Sequence, residues 1–110
     1  MIHVTICQNR RKECTGFRTY GHAGFSDEGQ DIVCAAASVL IINTINAIEK
    51  FTEDRATMVS DDAEGIIEYS LKERPSEKAK LLFDTMVLGL MEMSDDENYA
   101  EYIDLTFEEV

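Results

Sequence analysis

Two side chains twelve residues apart, His22 and Cys34, are the strongest candidates for chemistry in this 110-residue chain. His22 lies among glycines in Gly21-His22-Ala23-Gly24. Cys34 falls in Asp31-Ile32-Val33-Cys34-Ala35-Ala36-Ala37-Ser38. A thiolate attacks a carbonyl carbon, and a nearby imidazole takes and returns the proton. The two partners of such a pair need not be neighbours in sequence. The competing reading is structural: free cysteine is most often a small buried residue, and a loop histidine can simply satisfy a carbonyl. Spacing alone leaves both readings of the pair open.

Secondary candidates surround the pair. Asp31 stands one turn before Cys34, where it can orient the histidine or cap the helix, the commoner role. Ser38 follows Cys34 by four residues and shares its helix face. Its hydroxyl either meets a substrate or oxyanion or bonds a carbonyl of its own helix. Cys34 is expected about three residues into a helix that begins at Asp31, where N–H groups and the helix dipole favour an anion. Burial beside Val33 and Ala35 acts in the opposite sense. His3, Cys7 and Cys14 lack zinc-ligand spacing, so neither a metal nor another cofactor is expected. The acidic run from Glu92 to Glu97 lacks the register of a calcium loop and reads as a solvated helix end.

The elements that must hold these residues follow from periodicity. Residues 2–7 alternate apolar and polar and read as a strand; 14–20 return as its hairpin partner, with Gly16 marking a bulge or close backbone approach. Residues 21–30 hold three glycines and read as an exposed loop. The helix from Asp31 to about Lys50 is apolar nearly all round over its first eleven positions, so it is expected to be buried on most sides, under a second helix or against another subunit. Strands follow at 56–60 and 66–72. Ser76 is the expected N-cap of an amphipathic helix from Glu77 to Ser94. Residues 99–107 alternate as a last strand. The order β-β-α-β-β-α-β implies an α+β fold: a mainly antiparallel sheet with two helices packed on one face, forming one domain over residues 1–110.

Bulk composition narrows the function classes. A net charge of −12 opposes binding to a phosphate backbone and favours a basic protein partner. Three irregularly spaced cysteines do not suggest a disulfide framework. The N-terminus has no signal-peptide pattern. The longest apolar stretch, residues 32–42, falls short of the roughly 18 residues of a membrane span. A cytoplasmic protein with reduced thiols is expected.

The blocks Gly21-His22-Ala23-Gly24 and Asp31-Ile32-Val33-Cys34-Ala35-Ala36, with Ser38 and the acidic, glycine-containing loop between them, closely resemble the ribosomal-processing cysteine protease family (Prp) of Firmicutes and related bacteria. The resemblance is specific over residues 21–38 and diffuse elsewhere. It implies a homodimeric protease that trims the N-terminal extension of a large-subunit ribosomal protein. Cys34 would be the nucleophile, His22 the general base, Asp31 a supporting residue and Ser38 a site-lining one. It also implies a pocket for aromatic side chains and a mobile loop formed by Gly24, Phe25, Ser26, Asp27, Glu28, Gly29 and Gln30. Two rival readings are a non-catalytic ribosome-assembly factor that binds the same basic partner and a thiol redox sensor built on Cys34.

Overall fold

The computed structural model describes residues 1–21 and 28–110, with backbone alone for 28–31. The elements are β1 (Ile2–Gln8), β2 (Cys14–Tyr20), α1 (Glu28–Phe51), β3 (Ala56–Asp61), β4 (Ile66–Leu71), α2 (Glu77–Asp95), a 3-10 turn (Ala100–Tyr102) and β5 (Ile103–Glu109). The expected order is the observed one. The five strands form one sheet in the order β3-β4-β2-β1-β5. Its ladders are antiparallel except for β5, which runs parallel to β1.

Alternation on the strands sets which face is covered. Ile2, Val4 and Ile6 of β1 point to the helices and are buried, while His3 and Thr5 point away. Phe17, Tyr69, Leu71 and Ile103 complete the inner face of the sheet. Against them α1 lays Val33, Ala37, Ile41, Ile45 and Ile48, and α2 lays Ala79, Phe83, Met86 and Leu90. The three- and four-residue steps keep each set on one side of its helix. Phe17, Tyr69 and Phe83 form an aromatic cluster at the centre, with centroids 5.7 to 6.4 Å apart. Ser76 caps α2 as expected: its Oγ accepts from the Ala79 N–H at 3.1 Å.

Gly16 is the close approach that the sequence suggested. A Cβ there would collide with the Tyr69 carbonyl oxygen of the paired strand β4. A register shift between Cys7 and Gln8 in the β1–β2 ladder lies beside it. The β1–β2 turn is tied down by Glu13, which accepts from Arg74 Nε at 3.0 Å and Nη2 at 3.1 Å, and from Asn9 Nδ2 at 2.9 Å.

Three expectations need correction. Helix α1 begins at Glu28, not Asp31, so Glu28, Gly29 and Gln30 form its first turn instead of belonging to the loop. A glycine costs a helix about 1 kcal/mol, and the burial of Val33, Ala37 and Ile41 in the same helix outweighs that. The last strand begins at Ile103, because residues 96–102 continue the turning path after α2. The Tyr99 and Ala100 N–H groups both donate to the Asp96 carbonyl, at 2.9 and 2.8 Å. Finally, among the described residues of this chain α1 is covered along one side, not on most sides. Residues 32–51 have the length and apolar composition of a membrane-crossing helix. That apolarity serves the sheet along the inner face, while Ile32, Val39 and Ile42 of the outer face are about half or more exposed.

Candidate active site

The candidate site is a cleft of about 270 Å³ where the first half of α1 passes the end of the sheet. Helix α1 contributes Cys34, Ser38, Ile41 and Ile42, the strand ends contribute Ile2, Thr19 and Gly21, and the β3–β4 turn and the start of β4 contribute Asp61, Asp62, Gly65, Ile66 and Ile67. Five isoleucines make most of this lining apolar, and its polar members are Cys34, Ser38, Thr19, Asp61 and Asp62.

Cys34 and Ser38 reach the cleft together because four residues along a helix is close to one full turn. Cys34 is the seventh residue of a helix starting at Glu28, so it lies in the second turn. The field of a helix end fades within its first turn. The three-residue position expected for Cys34 is therefore not the observed one, and the first-turn N–H groups precede it along the axis. Cys34 is partly open to solvent, whereas Cys7 and Cys14 are buried; all three thiols are free. Burial pushes the Cys14 thiol up to about 12, and burial likewise raises that of Cys7 against the opposing pull of Arg18. Neither buried thiol is suited to act as a nucleophile near neutral pH.

The Ser38 hydroxyl makes no hydrogen bond to another described residue. By contrast, the hydroxyls of Thr44, Thr52 and Thr85 bond back to the carbonyls of Leu40, Ile48 and Leu81 at 2.7 to 2.8 Å. Of the two readings of Ser38, the one that turns it into the cleft fits its surroundings. His22 lies outside the described residues, as do Gly24, Phe25, Ser26 and Asp27. Asp31 is placed in the helical backbone of α1, with its side chain outside the description.

Gly21, directly before His22, does line the cleft. Its φ is +81°, and its N–H donates to the Glu64 carbonyl at 3.3 Å. Tyr20 ends β2 stacked on His3 at a centroid distance of 4.5 Å, and His3 Nδ1 meets Asp104 Oδ2 at 3.1 Å. His3 thus has a structural assignment on the open face of the sheet, as expected. The acidic run at 92–97 closes α2, with Asp96 as its C-cap.

The strands expected at 56–60 and 66–72 leave the turn between them with no part in the site. The ladder pairing Thr19 with Ile67 carries that turn to the end of β2, beside Gly21. This is a contact between segments more than forty residues apart, and only strand order reveals it.

Comparison with known proteins finds relatives over nearly the whole chain. A family profile described as Cysteine protease Prp matches residues 1–104. The chain is 33% identical over 107 residues to the ribosomal processing cysteine protease Prp of Staphylococcus aureus (strain Mu50), covering 97% of this chain and 99% of that one. It is 30% identical over 100 residues to the Bacillus subtilis (strain 168) protein of the same name, covering 87% and 89%. Two crystal structures of the S. aureus protease are similar throughout. One holds a substrate peptide (TM-score 0.89, 30% identity) and the other a covalently linked product peptide (TM-score 0.86, 32% identity). Each comparison covers 98% of this chain and 100% of the other.

Proposed function

The chain belongs to the cysteine protease Prp family, and from that premise we propose that it removes the short N-terminal extension of a bacterial large-subunit ribosomal protein, with Cys34 as nucleophile and His22 as general base. The observation that carries this reading is the placement of Cys34. It is the one thiol of three that meets solvent, and it shares its cleft with Gly21, the residue joined to His22. The relatives' names refer to ribosomal processing, and the S. aureus structures hold peptides, one of them covalently.

The reaction is acyl transfer. The Cys34 sulfur bonds to the scissile carbonyl carbon while His22 accepts the thiol proton. The tetrahedral oxyanion collapses, the amine leaves with the proton returned by His22, and the new N-terminus departs. Water, deprotonated by His22, then attacks the thioester and releases the acid and the thiol. Ser38 faces the reacting region and supports it through its hydroxyl, and Asp31 acts as a supporting residue one turn earlier. Ile2, Ile41, Ile42, Ile66 and Ile67 suit a large apolar or aromatic side chain next to the cleaved bond. The net charge of −12 suits a basic substrate protein and opposes direct nucleic-acid binding.

The same reading includes a cytoplasmic homodimer. Three free thiols suit a reducing compartment, and the exposed Ile32 and Val39 of α1 suit burial against a second copy.

Mass spectrometry of a ribosomal-protein precursor after incubation tests the proposal. A product shortened at its N-terminus supports it. An intact precursor held in a stoichiometric complex would sink it in favour of an assembly-factor role.

A further inference from the structure

We propose that the end of the molecule opposite the cleft is a docking surface for the phosphate backbone of RNA. The inference takes its occupant from the ribosomal reading above and goes beyond it. Nine of the ten basic residues gather at this end: three in the β1–β2 turn, two around the end of α1, and four where β4 leads into α2. Hydrogen bonds tie these segments into one surface. Arg74 donates to Glu13 from Nε at 3.0 Å and from Nη2 at 3.1 Å. The Lys72 N–H donates to the Arg55 carbonyl at 2.8 Å, and the Ser76 N–H donates to Asp54 Oδ2 at 2.9 Å.

Charge balance separates this end from the rest. Over residues 9–13, 49–55 and 72–80 nine cations face six carboxylates, whereas the remainder of the chain has one cation and sixteen carboxylates. Arg55 and Arg74 are taken up by Glu73 and Glu13, and Lys12 by Glu109 of β5. Arg10, Arg11, Lys50, Lys72 and Lys78 are exposed and join no ion pair among the described residues. The turn carrying Arg10 and Arg11 is held in shape by Asn9, whose Oδ1 accepts from the N–H groups of Arg11 at 2.9 Å and Glu13 at 3.0 Å. Cations on a fixed backbone lose less freedom when they meet a phosphate.

The net charge of −12 opposes nucleic-acid contact for the molecule as a whole, but its carboxylates are concentrated elsewhere. Lys50 lies sixteen residues along α1 from Cys34. At 1.5 Å per residue that is about 24 Å, three times the screening length of roughly 8 Å at physiological salt. The acidic cleft end is therefore largely screened from the basic end. A ribosomal protein within its particle is surrounded by RNA. One end that meets a basic chain and another that meets phosphates suit such a particle, whereas an acidic protein partner has no place in it.

Fluorescence anisotropy of the full-length protein with a labelled single-stranded RNA of arbitrary sequence tests this, at salt from about 50 to 200 mM. Wild type should bind at the low end, with log K falling linearly against log salt. The variant Arg10→Gln, Arg11→Gln, Lys78→Gln should bind about tenfold or more weaker there. Its salt slope should be shallower by about two, at roughly 0.7 per lost phosphate contact on a single strand. The control Asn43→Glu, Leu88→Glu, Asn98→Glu lowers the net charge equally at exposed positions away from this end and should keep the wild-type slope. All three proteins should cleave a free extension peptide at the same rate. No RNA binding by wild type at the lowest salt overturns the proposal. So does an equal loss in the control, since that is general repulsion. Polyglutamate bound as tightly as RNA also overturns it, in favour of an acidic protein partner. Failure of the protease reading shows separately, as an extension peptide left whole by a wild-type protein that still binds RNA.

Discussion

The Gly21 N–H and the Glu64 carbonyl meet at 3.3 Å, joining the end of β2 to a hairpin turn more than forty residues later in the chain. This contact sets Gly21 beside the β3–β4 turn, and both line the Cys34 cleft.

Thiol accessibility gives the simplest prediction. Cys34 is partly exposed, whereas Cys7 and Cys14 are buried with raised thiol pKa values. Native protein treated with iodoacetamide at neutral pH should take up one label per chain, on Cys34, and the other two of its three cysteines should react only after unfolding. Peptide mapping by mass spectrometry reads the sites. Rapid native labelling of Cys14 would contradict the packing of β2.

Ser38→Ala tests the hydroxyl one turn beyond Cys34, which bonds no other described residue. Loss of one hydrogen bond to substrate or oxyanion is worth about 1.4 kcal/mol, a tenfold fall in kcat/KM. Thermal stability should not change, since Ser38 bonds no other described residue. Unaltered kinetics would leave Ser38 with no part in the site.

Acid should loosen the β1–β2 turn. Two N–H groups of Arg74, with help from Asn9, lower the Glu13 carboxyl from 4.5 to about 2. The folded value is below the unfolded one, so the contribution to stability is present above about 4.5 and is lost as pH falls towards 2. A plot of Tm against pH should decline across that window, and Glu13→Gln should flatten its share of the decline. A variant curve parallel to wild type would show that the Arg74 pair contributes nothing.

The central aromatic cluster should dominate stability. Phe83 is fully buried against Phe17 and Tyr69. Phe83→Ala removes a large side chain from a site enclosed by α2 and the sheet, at a cost of about 3–5 kcal/mol. Urea denaturation measures it. A loss below about 1 kcal/mol would mean that the core collapses around the gap.

The contrast between α1 and the β3–β4 turn shows how far the sequence could be read. Periods of two and 3.6 residues mark β1, β2 and α2, because burial of one face repeats along each of them. Cys34 and Ser38 are legible as a pair because helical spacing alone puts them on one face. The start of α1 is not, because Gly29 weakens the local signal and the compensating burial lies in tertiary contacts of Val33 and Ala37. The 3-10 turn before β5 is hidden for a similar reason: Tyr99 and Tyr102 stand three apart, a helical step, directly before residues that do alternate. Asp61, Asp62 and Gly65 carry no local sign of belonging to a cleft. Their place depends on β4 pairing with β2, a register that no single segment specifies.

Cleavage of a candidate extension peptide by wild type, Cys34→Ala and His22→Ala, followed by mass spectrometry, tests the central claim most directly. Wild type should yield two fragments and pass through a covalent adduct at Cys34. Both variants should remain folded and leave the peptide whole. Trimming by Cys34→Ala at the wild-type rate would contradict the account.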